Sequence, residues 1–408
     1  RNEFRETEKC HHSFHHISGQ QSYTMQAPLA ILAILALNIV ISEWLNRHTK
    51  LRYLGTTLLV ILVTAIVANL GIIPSASDGS PLYNGIFKYV APISIFYLLL
   101  GVNLNQLKQA GLSMLVMFLI GSAATAIAAL IAVQIIGGAS ALGDSYKALA
   151  GMMTGTYTGG SVNFNAIALH YGITEEGNLY AGTVAVDNIL TAIWMIATLL
   201  LPKLLQGWFP RATGEGMSKL TAEELREIER EDETLDPMHM GWLLALGAGN
   251  LFVSDWLADV FATWGYPVPS ILILTTIALI LAQFKIVQQL SGAKLLGLFS
   301  IYLFLAVIGA FCELGALGQI GDLAVVIAVF TTSIVAIHGL LIFLLGGMLK
   351  QDWDVVAIAS QANIGGASSA MALAKSLKRT DLILPSILVG TLGSGLGTYL
   401  GFLVAGII

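Results

Sequence analysis

The residues best suited to chemistry in this chain are polar side chains set inside long apolar runs. Two segments stand out: GMMTGTYTGGSVNFNAIALHYG from Gly151 and VVAIASQANIGGASSAMALAKS from Val355. Aligned on Gly159-Gly160 and Gly365-Gly366, they share a polar stretch, a glycine pair, small polar residues and an Ala-rich run. Each is followed by a further apolar segment that opens on Gly-Thr, GTVAVDNILTAIWM from Gly182 and GTLGSGLGTYLGFL from Gly390. A helix in lipid must satisfy its own backbone, so a break is tolerated only where protein or a water-filled cavity supplies partners. Two glycine-marked breaks at corresponding places point to the central binding site of a transporter. The candidate solute ligands are Thr156, Thr158, Gly159, Gly160, Ser161, Asn163 and Asn165 in the first segment. In the second they are Gln361, Asn363, Gly365, Gly366, Ser368 and Ser369. Freed amides and the positive ends of half-helices suit a carboxylate. No deeply placed Arg or Lys is available to pair an anion, so dipoles must hold it, or the solute is neutral or zwitterionic. The plainer alternative, small residues that let straight helices pack closely, leaves Asn163, Asn165, Gln361 and Asn363 at one depth unexplained.

Ionisable groups inside apolar segments are costly and point to function. Asp187, in VAVDNILTAIW, could bind Na+ or carry a proton, with Asn188 adding an oxygen; the alternative is a helix cap. His338, in IVAIHGLLIF, could shuttle a proton or brace helices as a neutral ring. Glu313 is expected near a membrane boundary, as a solvated group or a site group alike.

The elements that must position these groups follow from composition. Of 408 residues, 56% are hydrophobic and 11% charged, against roughly a quarter charged in soluble domains; mean hydropathy is +0.77. Runs long enough to cross a bilayer recur near 27–43, 54–74, 85–102, 110–137, 146–170 and 179–205. A second series lies near 240–261, 267–284, 294–312, 320–348, 353–374 and 382–407. Alternation of period two, the mark of a membrane barrel, is missing. The expected fold is an all-α polytopic membrane protein of two homologous halves, an inverted repeat with crossed discontinuous helices. Its expected parts are a disordered leader (1–24), a first repeat (25–205), a polar linker (206–239) and a second repeat (240–408).

Parity poses a problem: six crossings per half would leave both halves in one orientation, whereas an inverted repeat needs an odd offset. Two helices have been merged, with 110–137 the suspect, or a segment does not span, or the repeat is not inverted; ten to thirteen helices remain open. Arg47, His48, Lys50 and Arg52 place the first loop in the cytoplasm, and the Pro74–Pro81 loop outside. Later loops compete, Lys375, Lys378 and Arg379 against Lys285, Lys294 and Lys350.

The leader has no apolar core, so it is neither a signal peptide nor a helix, and Met25 reads as the natural start. His11-His12 and His15-His16 could bind metal, but a plain leader is the stronger reading. Cys10 and Cys312 form no metal spacing or disulfide framework. In the linker, Thr221 with Glu224 fits a capping box opening a short helix outside the membrane, a tether rather than a partner site.

At TGTYTGGSVNFNAIA from Thr154, VAVDN from Val184 and SQANIGGASSAMALA from Ser360, the chain resembles the DUF819 (YjcL-like) family of bacterial and plastid membrane proteins. The resemblance covers nearly everything from Met25 onward. It implies distant kinship with cation–proton antiporters, bile-acid:sodium symporters and glutamate:sodium symporters, and with them inverted repeats, a core of two crossing broken helices, a panel domain, an elevator-like or rocking movement and a homodimer. Asp187 is followed by Asn188, so the antiporters' paired acidic signature is missing, which favours symport.

The expected function is Na+- or H+-coupled secondary transport of a small polar organic solute. Monovalent cation/proton antiport and a non-transporting scaffold or receptor are the alternatives. No nucleotide loop, zinc motif or nucleophile–base pattern suggests an enzyme, and no cofactor beyond a coupling Na+ is expected. Partners are the solute, the coupling cation, membrane lipid and a second copy; nothing suggests nucleic acid. The expected location is the bacterial cytoplasmic membrane, or an organelle membrane in a plant.

Overall fold

A computed structural model describes residues 27–75, 80–211, 235–312 and 321–408, without the side chains of residues 52, 53 and 322. The leader with its histidines and Cys10, the linker helix after Thr221, and Glu313 lie outside the described residues.

Each apolar run becomes one helical element except 146–170, which becomes two. In chain order they are α1 (Pro28–His48), α2 (Gly55–Asn69), α3 (Pro81–Leu99), α4 (Leu112–Ile136), α5 (Tyr146–Gly159), α6 (Ser161–His170) and α7 (Gly177–Trp208). The second half holds α8 (Pro237–Thr263), α9 (Ser270–Leu281), α10 (Ala293–Ala310), α11 (Gly321–Met348), α12 (Trp353–Ser376) and α13 (Ile383–Ile407). Among the described residues, eight helices are long and apolar enough to cross a membrane: α1, α3, α4, α7, α8, α10, α11 and α13. The shorter α2 and α9 also reach from one face to the other. At its start α2 bonds Glu43 through Thr56, and at its end Asn69 donates to the Cys312 carbonyl. At its start α9 bonds Asp255 through Ser270, and just past its end Gln283 donates to Val102 O. The suspected merger at 110–137 does not occur, since α4 is a single helix.

The remaining two segments do not span. Gly160, at φ +101°, separates α5 from α6, and the two helices fold back on each other. A Cβ on Gly155 would meet Asn163 and Ile167, and one on Gly151 would meet Ile167 again. At the open end Ser145 Oγ lies 3.3 Å from Glu176 Oε1. In α12 the turn falls at Gly366, φ +73°. Its open end is closed by Arg379, which reaches Asp352 at 2.7 Å and Asp354 at 3.0 Å. A straight helix would hold residues 352 and 379 about 40 Å apart. Both segments are therefore re-entrant hairpins, hairpin 1 (α5–α6) and hairpin 2 (α12), rather than crossed broken helices. Two arms of ten to fourteen residues carry as many apolar residues as one crossing, so a hydrophobic run does not separate the two cases. The long arm of hairpin 1, at about 1.5 Å per residue, reaches only partway through a ~30 Å hydrocarbon layer.

With hairpins in place of two crossings, the connections sort cleanly. Every described Lys and Arg except Lys88 and Lys147 falls on or near one face, including Lys285, Lys294, Lys350, Lys375, Lys378 and Arg379. The competition among later loops disappears, and the positive-inside rule makes this basic face cytoplasmic. Hairpin 2 opens to that face and hairpin 1 to the opposite one. The protein is a multi-pass membrane protein, consistent with the cytoplasmic membrane.

The helices pack as two sets. One gathers α1, α2, α3, α8, α9 and α10, and the other α4, α7, α11 and α13 with both hairpins. In the second set α5 lies along α13 through interlocked glycines: Gly151 meets Gly401, Gly155 meets Gly397 and Gly159 meets Gly393. Small residues at four-residue spacing let two membrane helices approach at backbone distance.

Candidate functional site

The two hairpin tips meet. Gly366 Cα is so placed that a Cβ there would lie 4.0 Å from Gly159 O and from Gly160 Cα. Both turning glycines hold positive φ, the region that only glycine enters without strain. Each tip opens the second arm of its hairpin, so free first-turn amides and a positive helix end converge on this point from both sides. Ser161 and Ser368 are exposed there, and Gly160, Gly365, Ala367 and Ser369 are half-buried. The Ser394 hydroxyl donates to Gly159 O at 3.1 Å. Gln361 is buried close behind: its Oε1 accepts from Thr198 at 3.2 Å, while its Nε2 lacks a partner and borders Gly365. An arrangement of amides, hydroxyls and one unpaired amide donor suits a small polar or carboxylate-bearing solute.

Other predicted ligands are clamps. Asn163 accepts from the Thr398 backbone at 3.0 Å and its hydroxyl at 2.8 Å, and donates to Gly393 O at 3.2 Å, tying hairpin 1 to α13. Asn363 accepts from Ser122 at 2.8 Å and donates to Phe118 O at 3.1 Å, tying hairpin 2 to α4. Asn165 accepts from the Tyr180 hydroxyl. Thr158 bonds back to Thr154 O at 2.8 Å, and Thr156 is buried. Gly159 has no room for a side chain, since a Cβ would lie 1.8 Å from the Gly393 carbonyl carbon.

Asp187 lies ten residues inside α7, which starts at Gly177, so it caps nothing. It is half-buried, with the Thr191 hydroxyl at 3.5 Å; the buried Tyr157 hydroxyl of hairpin 1 makes no hydrogen bond among the described residues. Asn188 donates instead to Leu54 O at 3.2 Å, anchoring α7 to the α1–α2 connection. Among the described residues no group of three His, Cys, Asp or Glu could hold a metal ion, so a cation at Asp187 would draw on hydroxyls and carbonyls.

His338 is wholly buried. Its Nδ1 lies 2.9 Å from Thr125 Oγ1 and 3.1 Å from Gly121 O; its Nε2 lies 2.9 Å from Ser360 Oγ, which also accepts from Trp194 Nε1 at 3.1 Å. The carbonyl beside Nδ1 calls for the proton there, leaving Nε2 to accept from Ser360. A neutral ring thus satisfies every partner and braces α4, α7, α11 and hairpin 2 together, and Thr125 also bonds Tyr157 O of hairpin 1 at 2.9 Å.

Thr198, Thr398, Ser122 and Ser360 join the site without being candidates on sequence grounds, whereas Ser394 is the polar residue that the second half offers opposite Asp187. Their signal was legible as small polar residues within otherwise apolar helices, and in α13 as Gly393, Gly397 and Gly401 at four-residue spacing.

Residues 30–408 match the family described as protein of unknown function DUF819. The chain is also 30% identical over 361 residues, 84% of its own length and 87% of the relative's, to the uncharacterized membrane protein YjcL of Bacillus subtilis (strain 168). A match along almost the entire length takes in both hairpins, the glycine ladder and Asp187, and on it the chain belongs to the DUF819 family.

Proposed function

We propose that this protein is a secondary transporter built from two inverted repeats, coupling a small polar organic solute to Na+ or H+ at the meeting point of the hairpin tips. The observation that carries the reading is that meeting: two hairpins opening to opposite faces and touching at Gly159–Gly160 and Gly366. Unpaired helix ends and the exposed hydroxyls of Ser161 and Ser368 at this depth fit a water-accessible site, not a lipid-facing one.

Inversion is supported on three sides. Five crossings and one hairpin in each half make the offset odd, which removes the parity problem. Corresponding helices run antiparallel: Met117, Gly121 and Thr125 of α4 meet Gly346, Ile342 and His338 of α11, and Leu98, Phe87 and Tyr83 of α3 meet Gly297, Phe304 and Phe311. The sequence NIVISEWL at Asn38 returns as NLFVSDWL at Asn250. Its polar residues work alike in both places: Asn38 bonds Thr64 and Glu43 bonds Thr56, while Asn250 bonds Leu274 and Asp255 bonds Ser270. Kinship with the cation–proton antiporters and the sodium symporters is in keeping with this plan, as is a homodimer.

Asp187 is the coupling group in this reading, a carboxylate in mid-helix on α7, the helix that follows hairpin 1. His338 is a brace and not a proton carrier, and no bond chemistry is catalysed. The test is a solute-library thermal-shift screen on purified protein, with and without Na+ at two pH values, since a ligand raises apparent stability by linkage. An organic solute whose stabilisation grows with Na+ or with protons and vanishes in Asp187→Asn is the expected result. Ion effects without any organic hit would favour cation/proton antiport, and no ligand effect in well-folded protein would favour a scaffold.

A further inference from the structure

The two halves are equivalent in plan but not in closure. The Gly-Thr pairs Gly182-Thr183 of α7 and Gly390-Thr391 of α13 occupy matching positions, each on the helix that follows a hairpin. On the basic face, the first half of α13 packs against the connection after α3. A cavity of about 240 Å³ opens between them, lined among others by Val102, Leu104, Leu107, Leu388 and Thr391. Its inner end is next to the site, because the neighbouring Gly390 packs its backbone directly on Ala367 at the tip of hairpin 2.

Among the described residues, the matching junction on the opposite face is close-packed. There the start of α7 presses on the end of α10: a Cβ on Gly177 would lie 2.4 Å from the Phe311 carbonyl carbon and 2.7 Å from Cys312 N. Thr183 and Tyr180 are wholly buried, where Thr391 is half-buried. Cys312 is 5% exposed, its carbonyl held by Asn69 at 2.8 Å, and Phe311 is wedged edge-on against Tyr83 and Phe87. Among the described residues, one junction thus holds a cavity on the basic face while its counterpart is close-packed.

We infer that the cavity beside Thr391 is the cytoplasmic passage to the hairpin tips, and that the Gly177–Cys312 junction is its external counterpart, which opens when the cavity closes. The inference rests on the transporter reading and goes beyond it in naming the two passages. Exchanging the conformations of two inverted halves turns one state into the other, the general logic of transporters with such repeats. Thr183 and Thr391 then take turns facing water.

Cys312 is a built-in reporter. With Cys10→Ser in the full chain, Cys312 is the sole thiol, and a membrane-impermeant maleimide applied to the external side of oriented proteoliposomes reads the outer junction. External labelling at a slow but finite rate is expected, and Ile387→Trp, which props the inner cavity open, should cut that rate about tenfold by shifting the population. In parallel, Thr391→Cys in a Cys10→Ser, Cys312→Ser background should label from the cytoplasmic side and not from the external side in the resting protein. Cys312 labelling that ignores Ile387→Trp, or a Thr391→Cys thiol silent from the cytoplasmic side in folded protein, would overturn the assignment. If the solute screen has yielded a ligand, either result removes these passages and leaves transport standing. Reciprocal labelling with no ligand in the screen would keep the passages and remove the solute reading.

Discussion

Hairpin 1 and hairpin 2 have the same plan and are held by opposite means. Hairpin 1 is fixed along its long arm, where three glycines of α5 interlock with three of α13 at backbone distance. Hairpin 2 meets α7 through side chains: Trp194 to Ser360 at 3.1 Å, Thr198 to Gln361 at 3.2 Å and, just past the helix end, Trp353 to Phe209 O at 2.9 Å. At the open ends the order reverses. Hairpin 2 is closed by Arg379 gripping three carboxylates, and hairpin 1 by one hydroxyl–carboxylate contact. Close glycine packing holds by shape and tolerates no added atom, whereas hydrogen bonds and ion pairs can be exchanged for water. Hairpin 1 is thus held most firmly along its arm, and hairpin 2 at its mouth, where the ion pairs are largely shielded from water.

The largest effect should come from the seam along α5. Gly159→Ala puts a methyl group within 1.8 Å of the Gly393 carbonyl carbon, with backbone on both sides and no flexible side chain to move away. Overpacking in a tight core costs about 1–3 kcal/mol and occasionally more, and a backbone–backbone collision lies at the upper end. The expected outcome is loss of monodisperse protein in size-exclusion chromatography, or a large fall in melting temperature. A Gly159→Ala protein as stable as the parent would mean that hairpin 1 slides on α13, and the contrast between the hairpins would fail at its main point.

Much of this plan is legible in the residues themselves. Each of the twelve apolar runs holds a helical element, because hydrophobic length is what membrane insertion selects. The glycine pairs marked both turns, since a left-handed φ at a tip demands them. What hydropathy does not carry is direction: the runs at 146–170 and 353–374 are as apolar as a crossing, and only parity and the Lys/Arg pattern separate a hairpin from a span. Polarity likewise does not tell facing. Asn163 and Asn363 sit close to the tips as expected, yet they turn toward α13 and α4 and satisfy backbone there. Ser161 and Ser368, less conspicuous in the sequence, are the ones left facing the open space. The likeness of Asn38–Leu45 to Asn250–Leu257 lies in the polar positions and Trp and is masked by substitutions at the apolar ones.

An intermediate effect is expected at the mouth of hairpin 2. Arg379 bonds Asp352 at 2.7 Å, Asp354 at 3.0 Å and Asp381 at 2.8 Å; its side chain is 13% exposed and theirs 10%, 20% and 12%. The Asp381 carboxylate in particular holds the guanidinium above even its ordinary range, so it stays charged at any working pH. Arg379→Ala would leave three carboxylates crowded in a half-dry pocket. Breaking a fully buried pair costs about 3–5 kcal/mol, and water at the rim lowers the expectation to about 2 kcal/mol. The measurement is a melting curve together with limited trypsin cleavage at the neighbouring Lys378, which should become faster. Unchanged cleavage would show that the ends of hairpin 2 stay together without the clamp.

The smallest effect should come from the corresponding place on hairpin 1, and it gives the sharpest form of the comparison. Ser145 and Glu176 meet at 3.3 Å in an exposed setting with no basic partner in the contact. A glutamine can still accept the serine hydroxyl, and an exposed polar contact contributes little against water. Glu176→Gln should therefore shift stability by no more than about 0.5 kcal/mol, in the range of ordinary surface substitutions. The informative quantity is the ratio of the two mouth variants in the same buffer and detergent. A loss from Glu176→Gln that rivals Arg379→Ala would mean hairpin 1 is also locked at its open end, and neither hairpin would then differ from the other in where it can yield. A loss several times smaller leaves hairpin 1 free to open at its outer end while its arm stays fixed to α13, the side on which the external passage must form.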